Sequence, residues 1–345
     1  MIKSKNKILF NIDEGIGKLS PHMFGANLEH IGEAIYKNGV WAEVIENRKF
    51  CGADKFTWET GVAHDHLDFG IIKPWQGFNP SAKHVMYAHS NSEFVVKGEE
   101  QINRFGSGKQ SQQITIREKS EKNRGIKQPI NVNFVDEAHQ FSIMLKGAGQ
   151  KVYIQIGELN FVIKSRSKWF EFKKNIKFND LKTKKTLSIS INSDELFIAN
   201  CSLKPKNTNF GFRKDITKLI KEWVPSYLRW PGGNYLSGYN WINGIGDKNY
   251  RLPFYDYAWY EWENNDVGTD EFMQWCEYIG SEPMITMNTG NGTPEEAASW
   301  IEYITGSTKT KYGKLRAKNG RVKPYDLKTI FIGNEMFGGW QIGHT

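Results

Sequence analysis

From Phe212 onward the chain alternates helical and strand patterning, and this alternation constrains the fold more than any other feature. Ile216, Leu219, Ile220 and Trp223 recur at the i, i+3, i+4, i+7 spacing of one helix face. Pro225 stops that helix, and Tyr227-Leu228-Arg229-Trp230 reads as a strand closed by Pro231-Gly232-Gly233-Asn234. The next helix starts at Thr269, read as its N-cap, with Asp270 and Glu271 in the first turn. Its buried face is Phe272, Trp275, Cys276 and Ile279. After a strand at Pro283–Asn288, Thr293-Pro294-Glu295-Glu296 forms a capping box with Pro at the first helical position. The helix it opens has Ala297, Ile301 and Ile304 as its core face. Ile330-Phe331-Ile332 then reads as a strand buried on both faces, and Gly333 frees the turn that delivers Asn334 and Glu335 at its tip. An earlier strand at Met23–Leu28 ends in Glu29-His30. Strand and helix in this order make a parallel βα series.

Between Phe50 and about residue 208 the texture is different. Period-2 alternation appears at Gln113–Ile116, Ile130–Phe134, Val152–Ile156 and Leu187–Ile191, with turn residues and no helical stretch between them. Short alternating strands of this kind imply an antiparallel β-sandwich. The expected organisation is an N-terminal segment with the first strand at 1–51, an inserted β-sandwich at 52–208, and βα units two to four at 209–345. Without the insertion about 190 residues remain, whereas a closed eight-stranded barrel takes about 250. The fold class is therefore α/β: the first half of a (β/α)8 TIM barrel, about four βα units, carrying the insertion. Half a barrel would leave unpaired strand edges and uncovered helix faces, so the chain alone is expected to dissolve poorly.

Composition narrows the function classes. A mean hydropathy of -0.57, with no apolar run near the ~20 residues of a membrane span, argues against a membrane protein. The N-terminus turns polar again at Asn11-Ile12-Asp13-Glu14, leaving no apolar signal segment, so a cytoplasmic location is expected. Cys51, Cys201 and Cys276 lie far apart and suggest neither a disulfide framework nor metal-ligand spacing. Residues 101–210 hold 20 Lys/Arg against 9 Asp/Glu. Without a recognised nucleic-acid motif, that excess reads as a solvated lysine-rich face and not a nucleic-acid site. His64-Asp65-His66 lacks further ligands for a metal, and Gly106-Ser107-Gly108-Lys109-Gln110 lacks the glycine spacing and the Ser/Thr of a phosphate loop. No metal or cofactor is expected.

The strand tips carry Glu29, Asn234, Asn288 and Asn334-Glu335. In a parallel barrel these tips share one rim, where chemistry sits, and a sugar-sized pocket accounts for four polar deliveries better than packing does. Glycoside hydrolysis needs two carboxyl groups flanking the bond, one of which protonates the leaving oxygen. Glu335 suits that acid role, and Asn334 could bond the sugar 2-hydroxyl. Arg229 and Glu29 have a plainer reading as a rim ion pair, and Trp259 and Trp241 as packing.

Longer motifs surround these residues: Phe24-Gly25-Ala26-Asn27-Leu28-Glu29-His30-Ile31-Gly32, Leu228-Arg229-Trp230-Pro231-Gly232-Gly233-Asn234, Tyr239-Asn240-Trp241-Ile242-Asn243-Gly244-Ile245-Gly246, Gly268–Phe272, Gly292–Ala298, Gly333-Asn334-Glu335-Met336 and Trp340-Gln341-Ile342-Gly343-His344. Across residues 20–50 and 210–344 the chain resembles the α-L-arabinofuranosidases of glycoside hydrolase family 51. The resemblance implies a retaining enzyme that releases terminal arabinofuranose from arabinose-containing hemicellulose or oligosaccharides. It implies Glu335 as acid/base, Asn334 on the 2-hydroxyl, Glu29, Arg229 and Asn234 on the arabinose hydroxyls, and Trp259 as a pocket wall. The family's nucleophile is a glutamate on the seventh strand, so the 345 residues are expected to be a fragment without it. A homo-oligomeric full-length enzyme is compatible with the resemblance. The alternatives are a non-catalytic carbohydrate-binding chain and a related glucan-active glycosidase.

Overall fold

A computed structural model describes residues 15, 17–51, 67, 70–91, 110–119, 121–132, 138–179, 184–339 and 341. His64–His66, Gly106–Lys109, Trp340 and Ile342–His344, all singled out in the sequence, lie outside the described residues. Four short strands, Ala26–Asn27, Tyr227–Trp230, Glu282–Met287 and Thr329–Ile332, pair in that order, every pair parallel. The sheet is open, with the first and last strands at its edges. Helices Lys214–Trp223, Thr269–Ile279, Pro294–Thr305 and Lys311–Lys318 alternate with the strands. Trp230, Phe272, Trp275, Trp300, Tyr303 and Ile304 fill the core between sheet and helices.

One helix starts as its sequence predicts, and another starts one residue earlier. Thr293 accepts from the Glu296 N–H at 3.2 Å, and Glu296 accepts from the Thr293 N–H at 3.1 Å. Phe272, Trp275, Cys276 and Ile279 are buried as expected, but the N-cap of their helix is Gly268 and not Thr269. Glu271 accepts from the Gly268 N–H at 3.0 Å, which leaves the Thr269 hydroxyl to accept from the Trp300 indole at 2.9 Å.

Two further expectations need correction. On Lys214–Trp223 the contact face is centred on Thr217, which accepts from the Trp275 indole at 3.0 Å. The helix is thereby rotated off its apolar stripe: Ile216 and Ile220 pack, while Leu219 and Trp223 stay 64% and 60% exposed. Nor is Thr329–Ile332 buried on both faces. It is an edge strand with one neighbour, and Ile330, Phe331 and Ile332 are all exposed.

The middle of the chain folds into two five-stranded antiparallel sheets. One pairs Gln76–Phe78, Arg124–Ile130, Lys185–Ile191, Lys151–Ile156 and Leu159–Lys164; the other pairs Val85–Asn91, Gln110–Ile116, Glu195–Pro205, His139–Gly147 and Phe170–Ile176. Ile126, Ile154 and Ile189 from the first and Ile114, Ile143 and Ile198 from the second belong to one core, which also takes in Ile45 and Phe50. A buried ion pair links this part to the helical part: Arg48 donates from Nε and Nη2 to the two Asp266 oxygens, each at 2.5 Å. Burial works to raise the Asp266 pKa, but Arg48 and Lys49 outweigh it and hold the carboxyl well below the usual carboxylate range. Among the described residues no helix is long and apolar enough to cross a membrane.

Candidate active site

Parallel strands point their carboxyl ends the same way, so the residues just past each strand meet at one rim. At the centre is Arg229, half-buried in the second strand. Its Nε donates to Thr286 Oγ1 at 3.1 Å, Nη1 to Asn27 Oδ1 at 3.3 Å and Nη2 to Asn334 Oδ1 at 2.5 Å. One guanidinium thus reaches the first strand, the third strand and the turn after the fourth. Asn27 in turn donates to Glu29 Oε1 at 3.2 Å. Burial pushes the Arg229 guanidinium down from its ordinary pKa, and the charges of Glu29 and then Glu335 pull it back up.

The turn after Arg229 explains its glycines. Gly232 and Gly233 both have positive φ, at 55° and 61°. A Cβ on Gly232 would lie 2.8 Å from Asn27 Oδ1, and one on Gly233 2.8 Å from Glu29 Oε2. Only glycine gives both the left-handed backbone and the close approach to those oxygens. The turn leads into a short 3-10 helix, Asn234–Gly238, whose first residue donates from Nδ2 to Glu335 Oε2 at 3.1 Å.

Glu335 is exposed and sits at φ 42°, a left-handed conformation that a glutamate seldom adopts. Its carbonyl accepts from the Phe337 N–H at 2.8 Å and from Gln341 Nε2 at 3.1 Å. Beside it, Asn334 Nδ2 and Asn234 Oδ1 are buried and have no hydrogen-bond partner among the described residues. An orphan donor and an orphan acceptor next to an open carboxylate are what a ligand rich in hydroxyls would satisfy, since each hydroxyl both donates and accepts.

Hydrogen bonds therefore join Glu29, Arg229 and Asn334 through Asn27 on one side and Asn234 and Glu335 on the other, and the Asn334–Glu335 peptide bond makes the two groups one cluster. Asn288 does not belong to it in that way. Its Nδ2 donates to the Ser237 and Tyr239 carbonyls at 3.2 and 2.8 Å, and its Oδ1 accepts from the N–H groups of Gly290, Asn291 and Gly292. That side chain shapes the loops and has no capacity left for a ligand. Trp259 stands on the turn between strands Phe254–Asp256 and Glu261–Glu263, 45% exposed, and no described hydrogen bond or ring contact joins it to the cluster. Trp241 is buried, stacked parallel to Trp300 at 6.4 Å.

Four members were given no role in the sequence reading: Asn27 and Gln341, which it quoted only inside longer motifs, and Thr286 and Ser237. Asn27 had a readable signal, since two residues along a strand share a face and Glu29 follows it by two. Behind the rim, His30 Nδ1 accepts from the Trp230 indole at 3.1 Å, so Nε2 carries the proton and donates to Glu263 Oε2 at 2.9 Å. Glu263 Oε1 also accepts from Tyr36 at 2.5 Å, and the His30 ring stacks on Tyr235 at 4.2 Å. This buried network fixes the residue after Glu29 against the turn that carries Asn234. Among the described residues no three His, Cys, Asp or Glu side chains converge in a way that could hold a metal.

Comparison with known proteins agrees with the motifs. Residues 219–342 match the family described as Alpha-L-arabinofuranosidase 1 domain. The chain is 45% identical over 141 residues to a probable alpha-L-arabinofuranosidase C of Aspergillus clavatus, covering 41% of this chain and 28% of that one. It is 41% identical over 140 residues to the intracellular exo-alpha-(1->5)-L-arabinofuranosidase 1 of Bacillus subtilis, again 41% of this chain and 28% of the other. The match thus spans less than a third of these relatives' length. An arabinose-bound GH51 α-L-arabinofuranosidase structure superposes with a TM-score of 0.70 over 91% of this chain and 54% of the other. At 18% identity that likeness speaks to the fold alone.

Proposed function

We propose that residues 219–342 belong to a family 51 α-L-arabinofuranosidase and, on that premise, that the protein is a retaining glycoside hydrolase removing terminal α-L-arabinofuranose. The substrate class is an arabinose-containing polysaccharide or oligosaccharide. Glu335 acts first as general acid, handing its proton to the departing glycosidic oxygen while a second carboxylate attacks the anomeric carbon. It then acts as base, taking a proton from the water that hydrolyses the glycosyl-enzyme. In this reading the attacking carboxylate comes from a part of the protein outside residues 1–345. Glu29, Arg229 and Asn234 bind the sugar hydroxyls, Asn334 bonds the 2-hydroxyl, and Trp259 forms part of the wall. The four parallel strands are the first half of a (β/α)8 barrel, and the antiparallel sheets are a sandwich inserted at 52–208 between parts at 1–51 and 209–345. A cytoplasmic location follows the name of the Bacillus subtilis relative.

The observation that carries the proposal is the pair of bonds from Asn234 to Glu335 and from Arg229 to Asn334, which draws the ends of the second and fourth strands together around one open carboxylate. The test is to express the complete reading frame containing residues 1–345 and follow hydrolysis of an aryl α-L-arabinofuranoside by proton NMR. The α-anomer of arabinose should appear first. First release of the β-anomer contradicts the retaining mechanism, and turnover of β-glucosides but no arabinofuranoside contradicts the sugar.

A further inference from the structure

We infer that Gln341 is a positioning residue that aims the Glu335 carboxyl, a role resting on the reading of Glu335 as general acid. Gln341 is 2% exposed, and its amide is used at both ends. Oε1 accepts from the Gly338 N–H at 2.6 Å, closing the loop that carries Glu335. Nε2 donates to the Glu335 carbonyl at 3.1 Å and to Ser237 Oγ at 2.7 Å. Ser237 is itself buried, in the 3-10 helix whose first residue, Asn234, holds the Glu335 carboxyl. One side chain therefore ties the backbone of the acid to the turn that orients its carboxyl. The turn is braced from its other side by Asn288, through the Ser237 and Tyr239 carbonyls.

The backbone of Glu335 gives this brace a purpose. At φ 42° the residue sits where side-chain-bearing residues are strained, and such a conformation persists only when the surroundings over-determine it. Without Gln341, one of the two bonds to the Glu335 carbonyl and the bridge to Ser237 are lost together. Glu335 can then relax toward negative φ, which swings its side chain away from Asn234. A displacement of about 1 Å at a reacting group is enough to cost about a hundredfold in rate.

The test separates aiming from folding by varying the leaving group. A dinitrophenolate departs without a proton, whereas an alkoxide needs one, so only the second substrate depends on where the acid points. Gln341→Ala and Ser237→Ala are made in the polypeptide from the complete reading frame, with thermal unfolding as a check on the fold. For Gln341→Ala, kcat/KM on an alkyl α-L-arabinofuranoside should fall at least tenfold further than the glycosylation rate on the dinitrophenyl substrate. Ser237→Ala should show the same bias, smaller, and it keeps the test in force if Gln341→Ala does not fold. Equal losses on both substrates in a folded variant, or no loss on either, overturn the positioning role alone. A wild type that cleaves no arabinofuranoside overturns the proposed function and this inference with it.

Discussion

Arg229 has one guanidinium and three partners, two on neighbouring strands and one just past the fourth, so its geometry matters as much as its charge. Lysine would keep the charge and lose the planar fork. Arg229→Lys should therefore lower kcat/KM on an aryl arabinofuranoside by about a hundredfold, the scale of a misplaced reacting group. Activity within threefold of wild type would show that Arg229 serves as a charge only. Asp256, at the base of the Trp259 hairpin, makes a separate prediction. Burial pushes its carboxyl up to about 6, while its Oδ1 accepts from the Ala258 N–H at 2.9 Å. A carboxyl whose folded pKa is raised favours the native state below the unfolded value near 3.8, and that advantage is lost as pH rises through about 6. Asn keeps the acceptor and carries no charge. Asp256→Asn should thus be more stable than wild type at pH 7, by about 3 kcal/mol, and equal to it at pH 3.5. Urea unfolding at both pH values decides this, and an equal gain at both would contradict the charge explanation.

At the scale of elements, what the sequence made legible was what depends on local rules. The capping box at Thr293 and the buried stripe of Thr269–Ile279 follow from residues within one or two turns of each other. The rotation of Lys214–Trp223 was hidden because it is set by a distant indole, Trp275, bonding Thr217. Exposure of the Ile330 strand was hidden for a similar reason: an apolar run says that a strand is suited to burial, but not whether a neighbour stands there. Within the site, Glu29, Asn234, Asn334 and Glu335 were readable as strand-tip residues, whereas Arg229 was marked by the motif around it. The brace of Ser237 and Gln341 joins side chains 104 positions apart and leaves no local trace. The Arg48–Asp266 pair is equally long-range, and both partners are buried. Removing one charge of such a pair strands the other, so Asp266→Asn should cost about 3–5 kcal/mol in urea unfolding. A loss below about 1 kcal/mol would mean that Arg48 finds another partner or water.

For the whole molecule, apolar surface gathers at the two ends of the open parallel sheet. Ile330, Phe331 and Ile332 are exposed along the last strand, and Met23, Phe24, Leu219, Trp223 and Val224 are exposed near the first. Uncovered strand edges and contiguous apolar patches promote association. Residues 1–345 expressed alone should therefore self-associate as concentration rises, by light scattering on a sizing column. A monomer at all concentrations, with no binding of a hydrophobic dye, would contradict this. The account as a whole turns on one proton, held by Glu335 and passed to the departing oxygen. The most direct measurement is Glu335→Ala in the complete polypeptide, assayed with an activated aryl arabinofuranoside in the presence and absence of azide, which needs no base to attack. Turnover should fall by about 10²–10⁴-fold, and azide should restore it while producing an arabinofuranosyl azide of the substrate's own configuration. Undiminished turnover without azide would contradict the central claim.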